Sequence, residues 1–262
     1  LYSDAASDGL HYLSDPAYTH SYMVDLTASV ADVYARTSTS GSASWKTILV
    51  GGLRAGGRGI FALDVTNPGA VSESIADAER TVMWDFTSAD DADFGHSFSR
   101  PAIVPLEGTS HSVRWAVVTG NGYNDLGSGE AKLFVLFIEE GLDGTWSSGD
   151  YVEISTGVGT TTDRNGLSTP AVVDTDGDGL ADRAYAGDLK GNMWAFDLSG
   201  TNPGNYDVAY KRGRTVKPLF TAPASQPITA TPAVMWAARC PVEKSTSMAM
   251  SATGSAVRCT AA

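Results

Sequence analysis

Cysteine is nearly missing from this chain. Cys240 and Cys259 are the only two in 262 residues, both near the C-terminal end, so the fold does not rest on a disulfide framework. Basic residues are also scarce: 18 Lys and Arg against 30 Asp and Glu give a formal net charge of −12, with no basic run. That balance excludes nucleic acid as a partner, because phosphate binding depends on clustered Lys and Arg. No apolar stretch reaches the ~18 residues of a transmembrane helix. The longest, Leu133-Phe134-Val135-Leu136-Phe137-Ile138, is the length of a strand. The four histidines (His11, His20, His96 and His111) are scattered without zinc-ligand spacing. Helix signals are few, and residues 70–80 read equally well as a short helix or a loop. The sequence starts at Leu1 without a secretory signal and so reads as a mature or excised segment of something longer.

What is present is a core and a concentration of carboxylates. At 42% hydrophobic, the chain can bury a substantial interior as one large domain or two smaller ones. The run Asp174-Thr175-Asp176-Gly177-Asp178-Gly179-Leu180-Ala181-Asp182 sets four carboxylates around two glycines. Asp174, Asp176, Asp178 and Asp182, with the Leu180 backbone carbonyl between the last two, suit a hard cation that takes about six to eight oxygens. Packed this closely without a cation, the four side chains would repel one another. Gly179 falls where a calcium loop must turn sharply. A plain solvated turn needs one Asp and one Gly rather than four spaced carboxylates. The expectation is therefore a Ca2+ site. It departs from an EF-hand, since Tyr185 stands where the bidentate Glu belongs and strand-like segments, not helices, flank the loop. An exported, calcium-rich compartment fits both this loop and the acidity.

A repeat organises the chain. Ser99-Arg100-Pro101-Ala102-Ile103-Val104, Ser168-Thr169-Pro170-Ala171-Val172-Val173 and Ala230-Thr231-Pro232-Ala233-Val234-Met235 open successive units. Glycine-bounded runs follow at Thr47–Gly52, Trp115–Gly120 and Ala184–Gly187, then aliphatic or aromatic runs at Gly59–Asp64, Ala131–Leu136 and Asn192–Asp197. Proline at a strand's first position costs the ladder nothing, because the missing N–H falls at its end. A period of roughly 60–70 residues built this way predicts an all-β fold, a quinoprotein-like β-propeller of four-stranded antiparallel blades. The blades are expected at about 22–95, 96–165 and 166–225, with another beginning near 228. Closed propellers take about four to eight blades, so residues 1–238 are expected to form a partial or truncated ring. Residues 239–262 lose the repeat and read as an atypical, poorly ordered tail.

Several segments together resemble the C-terminal β-propeller of the PilC/PilY family of type IV pilus biogenesis and tip-associated adhesin proteins. They are Trp45–Gly52, Gly56–Thr66, Gly120-Asn121-Gly122-Tyr123, Asn165–Pro170 and Asp174–Trp194, within a likeness spanning about residues 20–238. The resemblance implies a propeller at the pilus tip or bacterial surface, exported through the periplasm and outer membrane. It also implies a calcium site that governs pilus extension and retraction, and with them twitching motility and attachment. Its implied ligands are Asp174, Asp176, Asp178, Asp182 and the Leu180 carbonyl. Pilin or minor-pilin components and a host or surface receptor are the implied partners. Integrin binding is not carried over, because Ala186-Gly187-Asp188 lacks the Arg of an Arg-Gly-Asp tripeptide.

Other readings are weaker. Gly51–Gly59 lacks a phosphate-loop ending and leads into a strand. Gly95-His96-Ser97-Phe98-Ser99 lacks the closing Gly of a nucleophile elbow. Asp90, Asp91 and Asp93 read as a solvated acidic loop with at most weak cation binding, and the tryptophans as packing between blades. A calcium-loop adhesion propeller of the FG-GAP kind would repeat the Asp loop, which occurs once here. A quinoprotein dehydrogenase would need a cofactor-stacking Trp, an Asp base beside calcium and often adjacent cysteines. No enzyme is expected.

Overall fold

The computed structural model describes residues 13–72 and 74–223. Three antiparallel sheets follow one another along the chain, each built on four strands in simple sequence order, with a fifth short strand added to the third. The first runs β1 (Ser29–Ala35), β2 (Ser44–Gly52), β3 (Gly59–Asp64) and β4 (Val82–Thr87), with helix α1 (Ile75–Thr81) before its last strand. The second holds β5 (Ala102–Glu107), β6 (Val113–Gly120), β7 (Glu130–Phe137) and β8 (Tyr151–Gly159). The third holds β9 (Ala171–Val173), β10 (Arg183–Gly187), β11 (Asn192–Asp197) and the two-residue β12 (Asp207–Val208). A ribbon of β13 (Lys211–Arg212) and β14 (Thr215–Val216) follows, and β15 (Phe220–Thr221) pairs with β11.

The longest apolar run in the sequence, Leu133–Ile138, is the last five residues of β7 and the residue after it, and its burial explains its composition. Phe134, Leu136 and Ile138 join Ile48, Val50, Ile60, Trp84, Phe86 and Phe94 in one core cluster. Leu133, Val135 and Phe137 point the other way, into a second cluster with Ala184, Trp194 and Phe196. The middle sheet is thus covered on both faces, so alternation disappears and the strand reads as continuously hydrophobic. Each fully buried phenylalanine contributes about 2 kcal/mol through the apolar area removed from water. By contrast β10 keeps a strand's alternation, with Ala184 and Ala186 buried and Arg183 and Tyr185 part-exposed.

Strand openings are stapled between sheets. The Ser29 hydroxyl donates to the Pro101 carbonyl (2.6 Å), and the Arg100 N–H donates to the Thr169 hydroxyl (2.9 Å). Trp84 packs edge to face on Trp146 and donates its indole N–H to the Ile138 carbonyl across the first interface (3.0 Å). Of the two readings of residues 70–80, the structure holds a helix at Ile75–Thr81, capped by the Ser74 hydroxyl accepting from Asp77 N (3.1 Å). No helix among the described residues is long and apolar enough to cross a membrane. The expected further blade near 228, the tail at 239–262, both cysteines and Trp236 lie outside the described residues.

Candidate metal centre

The Asp-rich loop connects β9 to β10. Its closure is set by backbone: Asp182 N donates to the Val173 carbonyl (3.0 Å). Ala181 N reaches the Pro105 carbonyl (2.9 Å), which ties the loop to the second sheet. Between these anchors the chain coils around its own carboxylates. Asp174 accepts from Gly177 N (2.7 Å) and Gly179 N (2.8 Å), Asp176 from Asp178 N (3.2 Å), and Asp178 from Leu180 N (2.8 Å). Gly177 and Gly179 have φ of 85° and 90°, which glycine adopts without strain and other residues do not. The Gly177 and Gly179 amides hold the Asp174 carboxyl below its ordinary value, so it stays anionic. Asp182 accepts from Thr175 through both its N–H and its hydroxyl (2.7 Å each).

Asp174, Asp176 and Asp182 each present one oxygen within 4.8 Å of the others'. Asp178 is outside this group, with one oxygen bound to the Leu180 amide. Leu180 is partly buried at the end of the turn. The structure therefore brings together three of the four carboxylates read from the sequence. Their chemistry fits a hard cation: every donor in the group is a carboxylate oxygen, and among the described residues no histidine or cysteine joins it to favour a softer metal. Three anions this close repel one another unless something positive lies between them.

A second trio, Asp91, Asp93 and Glu153, meets the same distance criterion, but it already has its cation. Lys132 Nζ lies 2.6 Å from Asp93 and 2.5 Å from Glu153. Asp93 also accepts from Asn124 (2.7 Å) and from the Ser128 N–H (2.6 Å), while Asp91 accepts from the Tyr151 hydroxyl (3.0 Å). Burial works against the Asp93 anion, yet Lys132, Asn124 and Ser128 outweigh it and keep this carboxyl below its ordinary range. Burial, with the Asp91 charge adding to it, moves Glu153 the other way, above its ordinary value despite Lys132. The acidic loop at 90–93 is thus part of an ion-pair network rather than simply solvated. The aspartates stand out in the sequence, whereas Lys132 on β7 and Glu153 on β8 carry no local signal.

The central serine of the Gly95–Ser99 segment, Ser97, has no free hydroxyl for chemistry. Ser97 is buried, donating to the Gly59 carbonyl (2.8 Å) and accepting from Arg54 N (2.9 Å).

With this geometry in view, similarity to known proteins becomes decisive. A family model described as the PilY1 beta-propeller domain matches residues 3–259. The chain belongs to the PilY1 β-propeller family. A type IV pilus biogenesis factor PilY1 homolog of Xylella fastidiosa (strain Temecula1) is 40% identical over 215 residues, 81% of this chain and 14% of that protein. PilY1 of Pseudomonas aeruginosa (strain UCBPP-PA14) is 40% identical over 236 residues, 82% of this chain and 18% of that protein. The chain therefore spans less than a fifth of these relatives. The crystal structure of the Pseudomonas aeruginosa PilY1 C-terminal domain superposes with a TM-score of 0.58 at 33% identity, covering 77% of this chain and 38% of that one. The fold is accordingly the all-β propeller that the blade repeat predicted. The PilY1-type propeller here carries its carboxylate loop in the first hairpin of the third sheet.

Proposed function

We propose that this PilY1-family propeller is a calcium-responsive binding module of a type IV pilus biogenesis factor, not an enzyme, working at the bacterial surface. The observation that carries the proposal is the convergence of one oxygen each from Asp174, Asp176 and Asp182 within 4.8 Å. Asp178 and the Leu180 carbonyl complete the expected ligand set by reorienting toward the ion. Calcium supplies charge neutralisation and ties the ends of β9 and β10 together. Because Ala181 bonds to Pro105 on the second sheet, order in the loop is transmitted to the neighbouring sheet. Calcium then selects one conformer of this surface for a pilin or minor-pilin partner or a host or surface receptor. Through that choice it biases pilus extension against retraction, and with them twitching and attachment.

Calorimetric titration of the whole chain with calcium tests the site. A dissociation constant on the order of 10⁻⁶ to 10⁻⁴ M is expected, with magnesium competing poorly because it holds its waters and demands a tighter shell. No calcium uptake at millimolar concentration, or unchanged uptake in Asp174→Asn, overturns the assignment. The regulatory part is tested in bacteria carrying Asp182→Asn in the full-length protein, where twitching should lose its response to calcium chelation.

A further inference from the structure

We propose that a cavity at the hairpin ends of the sheets, apart from the carboxylate loop, binds a neutral carbohydrate. The cavity measures about 340 Å³ and is walled by Tyr34 at the end of β1, by the β5–β6 connection and the start of β6, by Glu139 and Glu140 after β7, and by Thr201 and Pro203 after β11. All three sheets contribute. Register places it on the same side of the sheets as the Asp174–Asp182 loop, since both lie where first strands end and second strands begin.

Its chemistry is specific. Tyr34 remains 52% exposed, and beside it Trp45 is 65% exposed, the two rings meeting edge to face at 5.8 Å. Together the two rings offer a flat apolar surface with a polar edge at the cavity's rim. The polar wall is preorganised. Arg114 lies 3.3 Å over the Phe137 ring and donates to Glu140 (2.9 Å). Glu139 is held by the N–H (3.0 Å) and the guanidinium (2.6 Å) of Arg36. Each carboxylate is therefore already balanced by its own arginine, so the cavity offers many hydrogen-bonding atoms but little uncompensated charge.

A wholly apolar ligand would strand those polar groups, which is costly. A strongly charged ligand would have to break one of the two pairs. A sugar meets both requirements, with its C–H face on an aromatic ring and its hydroxyls spanning the fixed carboxylates and guanidinium.

Saturation-transfer NMR on the whole chain, with lactose, cellobiose, maltose and N,N′-diacetylchitobiose as probes, tests this inference. At least one disaccharide should receive saturation at its ring C–H protons. Tyr34→Ala should weaken that binding by roughly tenfold, the loss of one aromatic anchor, while Tyr34→Phe retains it. Glu140→Gln should weaken it as well. Both side chains are at the surface, so the fold should survive, and unchanged amide spectra elsewhere will verify it. Absence of transfer to all four sugars overturns the proposal, as does binding unaffected by either Tyr34→Ala or Glu140→Gln. Repetition with EDTA separates the two sites: sugar binding should persist when the calcium reading's loop is stripped.

Discussion

Asp178 and Asp182 look equivalent along the sequence, but the structure gives them different work. Asp182 contributes an oxygen to the cluster of three and also accepts two bonds from Thr175. Asp178 is turned onto the Leu180 amide. Substituting a carboxamide at Asp174, Asp176 or Asp182 should therefore weaken calcium binding by on the order of tenfold or more, because affinity in oxygen-ligand loops follows ligand charge. Asp178→Asn should cost less, because Asp178 must first give up the Leu180 amide to reach the ion. Calorimetry on the four variants checks the ranking, and equal losses throughout would mean that leaving the Leu180 amide costs Asp178 nothing. The spacing of these carboxylates was legible in the sequence because metal-loop chemistry is local. Which of the four converge without an ion was not, since that depends on Asx turns in which each side chain chooses a backbone amide. A second residue-level expectation concerns Gly179. Its φ of 90° is the obstacle, since nothing lies within 4 Å of where a Cβ would be. Gly179→Val should thus cost about 1–2 kcal/mol of local stability, read as faster hydrogen exchange in the loop with little change in global unfolding.

At the scale of elements, the strands were legible and the charges between them were not. The run Leu133–Ile138 announced a buried strand, and prolines at 101 and 170 stand immediately before β5 and β9. Both signals are local properties of the chain. The Lys132–Asp93–Glu153 network is assembled from the connection after β4, from β7 and from β8, so only the folded register makes it visible. It carries a testable pH dependence. Asp93 is held below its ordinary carboxylate value, so its stabilising contribution is complete above that ordinary value and is lost as pH falls through its lowered one. Glu153 has the opposite sign: held above its ordinary value by burial first, it favours the fold only in acid. Removing the cation with Lys132→Met leaves partly buried carboxylates facing one another, at a cost of roughly 2–4 kcal/mol near neutral pH. Urea unfolding across a pH series should show that gap narrowing as the solution is acidified into the carboxylate range. A gap that widens instead would show that Lys132 does not act through Asp93.

For the molecule as a whole, the question is what keeps successive sheets in register, and one side chain answers much of it. Asn121 is fully buried where the first sheet's exit, the second sheet and the third sheet's entry meet. Its amide donates to the Asp93 carbonyl (3.0 Å) and the Glu130 carbonyl (2.9 Å). Its oxygen accepts from Lys132 N (3.1 Å) and Leu167 N (3.0 Å). All four of its hydrogen-bonding positions are thus satisfied by backbone from three parts of the chain. Close glycine approaches surround it: Gly122 at φ 65° lies so near that a Cβ would fall 1.8 Å from the His96 carbonyl oxygen, and one on Gly166 would fall 1.6 Å from that of Gly122. These contacts account physically for the Gly120-Asn121-Gly122-Tyr123 and Asn165-Gly166 segments that carried part of the family resemblance. They serve as junctions between blades. Asn121→Leu keeps the volume but leaves the Lys132 and Leu167 amides and the Asp93 carbonyl unpaired, each costing about 1–3 kcal/mol, while the Glu130 carbonyl keeps the bond it accepts from Asn124 (3.1 Å). Its effect should therefore be global, an unfolding midpoint lowered far more than in any carboxylate-loop variant, with calcium affinity falling only as folded protein is lost. Asn121→Asp supplies the discriminating arm, since it keeps the acceptor and removes both donors. If it unfolds as readily as Asn121→Leu, the two donated bonds to Asp93 and Glu130 dominate the junction; if it stays close to the parent, the bonds accepted from Lys132 and Leu167 set the register between the second and third sheets.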